Sequence, residues 1–98
     1  MPYLVCYDIA SDKIRLKAAK KLLASGFVRF QKSVFVSDLH AADEIADIHR
    51  WMEGHIQRDT DKIMSVFVSP NQLKSIYLYG ETDPDMLLLI LQPGTLIL

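Results

Sequence analysis

Residues 3–12 read Tyr3-Leu4-Val5-Cys6-Tyr7-Asp8-Ile9-Ala10-Ser11-Asp12, and the architecture can be built outward from them. Tyr3 to Ile9 is rich in β-formers, long enough for a strand and too short for a helix, and its apolar residues occupy both parities. That pattern predicts a central strand covered on both faces. Leu4, Cys6 and Asp8 share one parity, so the Asp8 carboxylate continues a buried row to its rim, at the carboxyl end of the strand and just before a loop. Ser11 can cap the next segment and Asp12 suits a helix N-terminus. Ile14, Ala18 and Leu22 then recur at helical spacing until Ser25-Gly26 supplies a stop, which predicts a helix over 12–24. Lys13, Lys17 and Lys20/Lys21 fall on another stripe of that helix, gathering positive charge on one face.

Phe27 to Phe30 and Ser33 to Leu39 are β-rich runs around Gln31-Lys32, readable as a tight hairpin or as one bent strand. Ala41, Ile45, Ile48, Met52 and Ile56 trace the apolar stripe of a second, acidic helix, with Asp43, Glu44 and Asp47 early where the helix dipole favours acids. Ile63 to Val68 and Ile76 to Tyr79 read as further strands, separated by the turn formers Ser69-Pro70-Asn71-Gln72, and Gly80 closes the second. The order is β-α-β-β-α-β with an extra C-terminal strand, an α+β arrangement of ferredoxin-like type. Residues 1–80 form the expected domain. Residues 81–98 form an apolar tail in which Met86 to Leu91 are six successive apolar residues, expected to pack on this domain, on a second copy or on a partner.

A chain of 98 residues, 50% hydrophobic and 23% charged, with mean hydropathy +0.13, is too short for a two-domain enzyme and too apolar for a disordered chain. No uninterrupted apolar run reaches the eighteen or so residues of a membrane span. One cysteine, Cys6, and a start without the basic region and cleavage site of a secretory signal make a cytoplasmic location the expectation. The net charge of -1 hides an asymmetry. Residues 1–33 hold seven basic side chains against two acidic ones, and the remainder holds four against ten, so a polyanion would meet the first third.

Asp8 has two readings: a carboxylate capping the following turn through the Ser11 or Asp12 amide, or a ligand for a hard cation such as Mg²⁺, which one or two carboxylates with waters and substrate phosphates commonly hold. Two Asp8 carboxylates facing each other across a two-fold axis would repel unless a cation or a proton were shared. His40, His49 and His55 lack zinc-site spacing and read as surface or helix-flank residues. Cys6 reads as a buried, inert thiol, and Trp51 as core or interface. No GxSxG, Walker loop or GxGxxG occurs, which removes the familiar hydrolase and nucleotide-cradle classes.

The ordered set Tyr7-Asp8-Ile9, Asp12-Lys13-x-Arg15-x-Lys17 and Gly26-Phe27-x-Arg29-x-Gln31-x-Ser33-Val34-Phe35 resembles the CRISPR-associated protein two family, the small partner of the CRISPR integrase. The resemblance implies a ferredoxin-like homodimer that bridges integrase dimers while new spacers are captured, with metal-dependent RNA or DNA endonuclease activity in many members. It implies that Asp8 is the metal-binding and catalytic aspartate, holding one divalent cation such as Mg²⁺ shared per dimer. Arg15 matches the family's helix-one arginine, Ser33 and Phe35 its strand-three serine and phenylalanine, and Arg29 falls within the same motif. As a scaffold, the dimer would lay Lys13, Arg15, Lys17, Lys20 and Lys21 along the phosphates of duplex DNA without reading sequence, with single-stranded RNA a second substrate class, and dock its tail on the integrase. As an enzyme, it would use the Asp8 pair, with Arg15 or Lys13 adding positive charge. A ferredoxin-like dimer with an unrelated regulatory role stands beside both.

Overall fold

The computed structural model describes residues 2–75. They form β1 (Tyr3–Asp8), α1 (Asp12–Ala24), β2 (Val28–Gln31), β3 (Val34–Ser37), α2 (Ala42–Glu53), β4 (Lys62–Phe67) and α3 (Pro70–Lys74). The sheet runs β2-β3-β1-β4 with every neighbouring pair antiparallel, so β1 is central and the order is that of a ferredoxin-like fold. Tyr3 pairs with Ser37 on one side and with Phe67 on the other, and Asp8 lies opposite Lys62 at the far end.

Because successive side chains of a strand point to opposite faces, β1 serves two apolar clusters at once. Val5 and Tyr7, with Ile9 just beyond the strand, pack with Ala18, Ala19 and Leu22 of α1 and Ile45, Ile48 and Met52 of α2 in the larger cluster. Leu4 joins Phe30, Val36 and Leu73 on the other side, with Cys6, Val28 and Val34 packed alongside. On that second face Met64 and Val66 of β4, paired with Cys6 and Leu4, stay exposed at 57% and 43%.

Local chemistry sets the boundaries. Helix α1 begins where Ser11 Oγ accepts from the Ile14 amide at 3.3 Å, and it is followed by Gly26 at φ 96°, a left-handed conformation that costs glycine little. The two readings of residues 27–39 resolve in favour of a tight hairpin, β2 to β3, with a register shift between Arg29 and Gln31. Glu44 folds back to accept from the Ala41 amide at 2.9 Å, closing the start of α2. The run Ser69 to Gln72 differs from the expected turn. It opens the short helix α3, because Ser69 and Gln72 satisfy each other's backbone amides at 3.1 and 2.8 Å and Pro70 is preset for a first helical position. The expected strand Ile76 to Tyr79 and the tail 81–98 lie outside the described residues.

Asp61 ties the two halves of the chain together. Its carboxylate accepts from the Ala10 amide at 3.0 Å, the Gln57 amide at 2.8 Å and Thr60 Oγ1 at 3.1 Å, so the loop that follows β1 is pinned to the loop that precedes β4. The residue is only 6% exposed, and the amides of Ala10 and then Gln57 hold its carboxyl below the ordinary value of 3.8. A depressed folded-state value stabilises the fold above the ordinary carboxylate range, and that contribution is lost as pH falls through the folded value. Asp61→Asn keeps the shape but turns a donor toward an amide donor, so its Tm should fall below that of the parent at pH 7. The gap should narrow as pH drops below 3.8. Circular dichroism melts between neutral and acid pH check this, and superimposable curves would refute it.

Candidate nucleic-acid interface and carboxylate site

Strand alternation divides the candidate residues between two faces. Asp8 follows Leu4 and Cys6 on the face away from α1 and α2, is exposed, and lines a cleft of about 210 Å³ with Cys6, Tyr7, Lys62, Ile63 and Met64. Lys62, which sequence reading missed, is its cross-strand neighbour. The signal for Lys62 is its position one residue before the apolar run of β4, but without the antiparallel register that position says nothing about Asp8. In the loop after Asp8, Asp61 accepts from the Ala10 amide and Ser11 Oγ from the Ile14 amide. Burial pushes the Cys6 thiol up from its ordinary value, which disfavours thiolate chemistry there.

Arg15, Arg29 and Ser33 gather on the helix face instead. Arg15 Nη1 donates to the Ile9 carbonyl at 3.0 Å and its other terminal nitrogen pairs with Asp12. Arg29 donates through Nε and Nη2 to the Lys32 carbonyl at 3.1 and 2.6 Å, and its guanidinium lies 5.1 Å from the Phe35 ring centroid. Phe35 is wholly buried and stacks with Tyr7 at 5.9 Å, so it supports the arginine from below. The structure therefore does not bring Arg15 into the cleft that Asp8 lines.

Lys13, Lys17 and Lys20 stand exposed along α1, as their spacing requires. Lys21 departs from that stripe. It is half-buried, with its ammonium 5.4 Å from the Trp51 ring centroid, while Trp51 also stacks on His55. Of the surface and helix-flank readings the histidines fit the second, half-buried on or beside α2: His40 stacks on Phe27 and bonds Ser37, His49 bonds Ser65 of β4, and His55 bonds the Trp51 carbonyl.

Among the described residues no three His, Cys, Asp or Glu side chains come together to hold a metal ion. Asp8 nonetheless suits Mg²⁺ as one hard, exposed oxygen donor, a cation that keeps several waters and takes the remainder of its shell from substrate phosphates. No helix among the described residues is long and apolar enough to cross a membrane.

The sequence model of the family described as CRISPR associated protein Cas2 matches residues 1–76. The chain belongs to that family. Cas2 relatives include the CRISPR-associated endoribonuclease Cas2 of Aeropyrum pernix, 35% identical over 82 residues that cover 84% of this chain and 88% of the relative. The CRISPR-associated endoribonuclease Cas2 1 of Francisella tularensis subsp. novicida is also 35% identical, over 81 residues covering 83% of this chain and 81% of that one. Among solved structures, Streptococcus pyogenes Cas2 superposes with a TM-score of 0.67 at 27% identity, over 82% of this chain and 100% of its own. A hypothetical protein from Thermus thermophilus superposes with a TM-score of 0.66 at 28% identity, over 84% and 93% of the two chains.

Proposed function

We propose that this Cas2 protein is a homodimeric nucleic-acid-binding component of CRISPR spacer acquisition that docks on the CRISPR integrase and cleaves RNA or DNA phosphodiesters with a divalent cation held between two Asp8 carboxylates. The endoribonuclease names of its relatives support the reaction class. The observation that carries the reading is the position of Asp8, exposed at the rim of a sheet face on which Met64 and Val66 lie bare to solvent. A second copy covering those apolar side chains would bring its own Asp8 to the same rim. A cation such as Mg²⁺ held there would neutralise charge building on a phosphodiester. The chain's own part is to fix the carboxylate, through the β1–β4 register, and to keep Lys62 beside it as a second handle on phosphate. The domain division at residue 80 and the docking role of the tail 81–98 belong to this proposal.

One observation favours a scaffold without chemistry: among the described residues a single carboxylate lines this cleft, faced by the cation of Lys62. Both readings use the exposed Lys13, Lys17 and Lys20 stripe to meet phosphates, because flexible ammonium groups supply charge without reading base edges.

Purified Asp8→Asn should lose Mg²⁺-dependent cleavage of single-stranded RNA and duplex DNA by about a hundredfold or more while remaining folded and dimeric. Equal, EDTA-resistant cleavage by both proteins would refute the assignment, and absence of cleavage by either with nucleic-acid binding intact would leave the scaffold. Replacing Lys13, Lys17 and Lys20 together with Gln should weaken binding to all duplex sequences alike. It should also reduce the slope of log affinity against log salt by roughly 0.9 for each lost phosphate contact. An unchanged slope would put the duplex elsewhere.

A further inference from the structure

A second cleft, of about 180 Å³, lies on the opposite side of the sheet from Asp8, between α1 and the β2–β3 hairpin, and is lined by Tyr7, Asp12, Arg15, Arg29, Lys32 and Ser33. Three cations and one carboxylate meet there. Both guanidiniums are held by backbone carbonyls, Arg15 by Ile9 and Arg29 by Lys32, so the charged heads are placed before any ligand arrives. A guanidinium presents five N–H donors in a fixed fork, of which these carbonyls use one on Arg15 and two on Arg29, and Asp12 takes a further one on Arg15. The Tyr7 phenol also lies on the cleft, hydrogen-bonded to Arg29.

We propose that this cleft binds a phosphomonoester dianion, carried either by a free nucleotide or by the phosphorylated end of a nucleic-acid strand. A phosphomonoester carries about 1.5 to 2 negative charges near pH 7 with three strong acceptor oxygens, a match for two forked guanidiniums and an ammonium that a singly charged phosphodiester does not make. Concavity selects in the same direction. A phosphate inside a continuous strand has nucleotides on both sides and suits the lysine stripe of α1, whereas a terminal phosphate can enter a recess. At about 180 Å³ the cleft is smaller than the roughly 300–1,000 Å³ of sites that enclose a drug-sized ligand, so it holds the phosphate and leaves the base outside. Asp12, paired with Arg15 and 91% exposed, is the one anion among the described residues that line the cleft, and it competes with the ligand for that arginine. The strand-end source rests on the nucleic-acid reading above; the nucleotide source does not.

The test uses the full chain and three fluorescent probes: a nucleoside 5′-monophosphate, a 5′-phosphorylated oligonucleotide and the same oligonucleotide with a 5′-hydroxyl. The phosphorylated strand should bind about tenfold tighter than the hydroxyl strand, and this preference should grow as pH rises through about 6, where the phosphate takes its second charge. Arg29→Gln should erase the preference. So should Lys32→Gln, at an exposed turn position where the fold is not at stake. Arg50→Gln, which removes the same charge from α2 outside the cleft, should leave it intact, and Asp12→Asn should enlarge it. Monophosphate binding that Lys32→Gln abolishes, without any strand-end preference, would support the cleft and assign it to free nucleotides. If the hydroxyl strand binds normally while neither the end phosphate nor the monophosphate adds affinity, the cleft proposal fails and the nucleic-acid reading survives. Equal losses in Arg50→Gln and Lys32→Gln would also overturn it, by reducing the effect to net charge. Loss of all strand binding in the parent protein, with the monophosphate still bound, would instead remove the nucleic-acid reading and keep the nucleotide site.

Discussion

A strand hydrogen-bonded along both edges has no free side, so every residue of β1 must be settled on one face of the sheet or the other. β3 and β4 fix that choice from the two edges through Tyr3 to Cys6 and Tyr3 to Asp8. A slip of one residue in either ladder would put Val5 and Tyr7 where Leu4 and Cys6 now sit and break both apolar clusters together. The same constraint distributes the chemistry. Tyr7 packs in the helix-side cluster beneath Arg15 and Arg29, and its neighbour Asp8 has the opposite parity, beside Lys62.

On the two proposals above, capture of phosphate and attack on it would be separate jobs for one chain. The helix face concentrates cations whose heads are anchored to carbonyls, whereas the opposite rim offers one exposed carboxylate at the end of a half-apolar surface. Asp61 makes this division rigid. By accepting the Ala10 amide it holds the turn between Asp8 and Ser11, so the carboxylate site and the start of the basic helix keep a fixed relation although no charge of Asp61 faces either.

Much of this was legible in residues 3–24, where apolar residues on both parities and then helical repeats identified β1 as central and α1 with its boundaries. The second helix was equally readable from Ile45, Ile48 and Met52, which are all buried. What periodicity could not supply was pairing. Lys62 beside Asp8 and Asp61 beside Ala10 are contacts across some fifty residues, set by the β1–β4 register. Arg15 was expected to add positive charge at the Asp8 site, yet its guanidinium turns back to the Ile9 carbonyl on the helix side. Lys21 obeyed the helical spacing but was drawn onto Trp51, a neighbour that only the packing of α2 provides. The residues Ser69 to Gln72 read as a turn but open α3 instead, since turn formers and N-caps are the same residue types.

The central proposal is that two copies share the carboxylate site, one Asp8 from each. Mixtures of the parent protein and Asp8→Asn, allowed to exchange subunits fully, distinguish a shared site from independent ones. If each active centre needs two Asp8 side chains, Mg²⁺-dependent cleavage at constant total protein should follow the square of the parent fraction, with about one quarter remaining in an equal mixture. A linear decline, with about one half remaining in that mixture, would contradict the account.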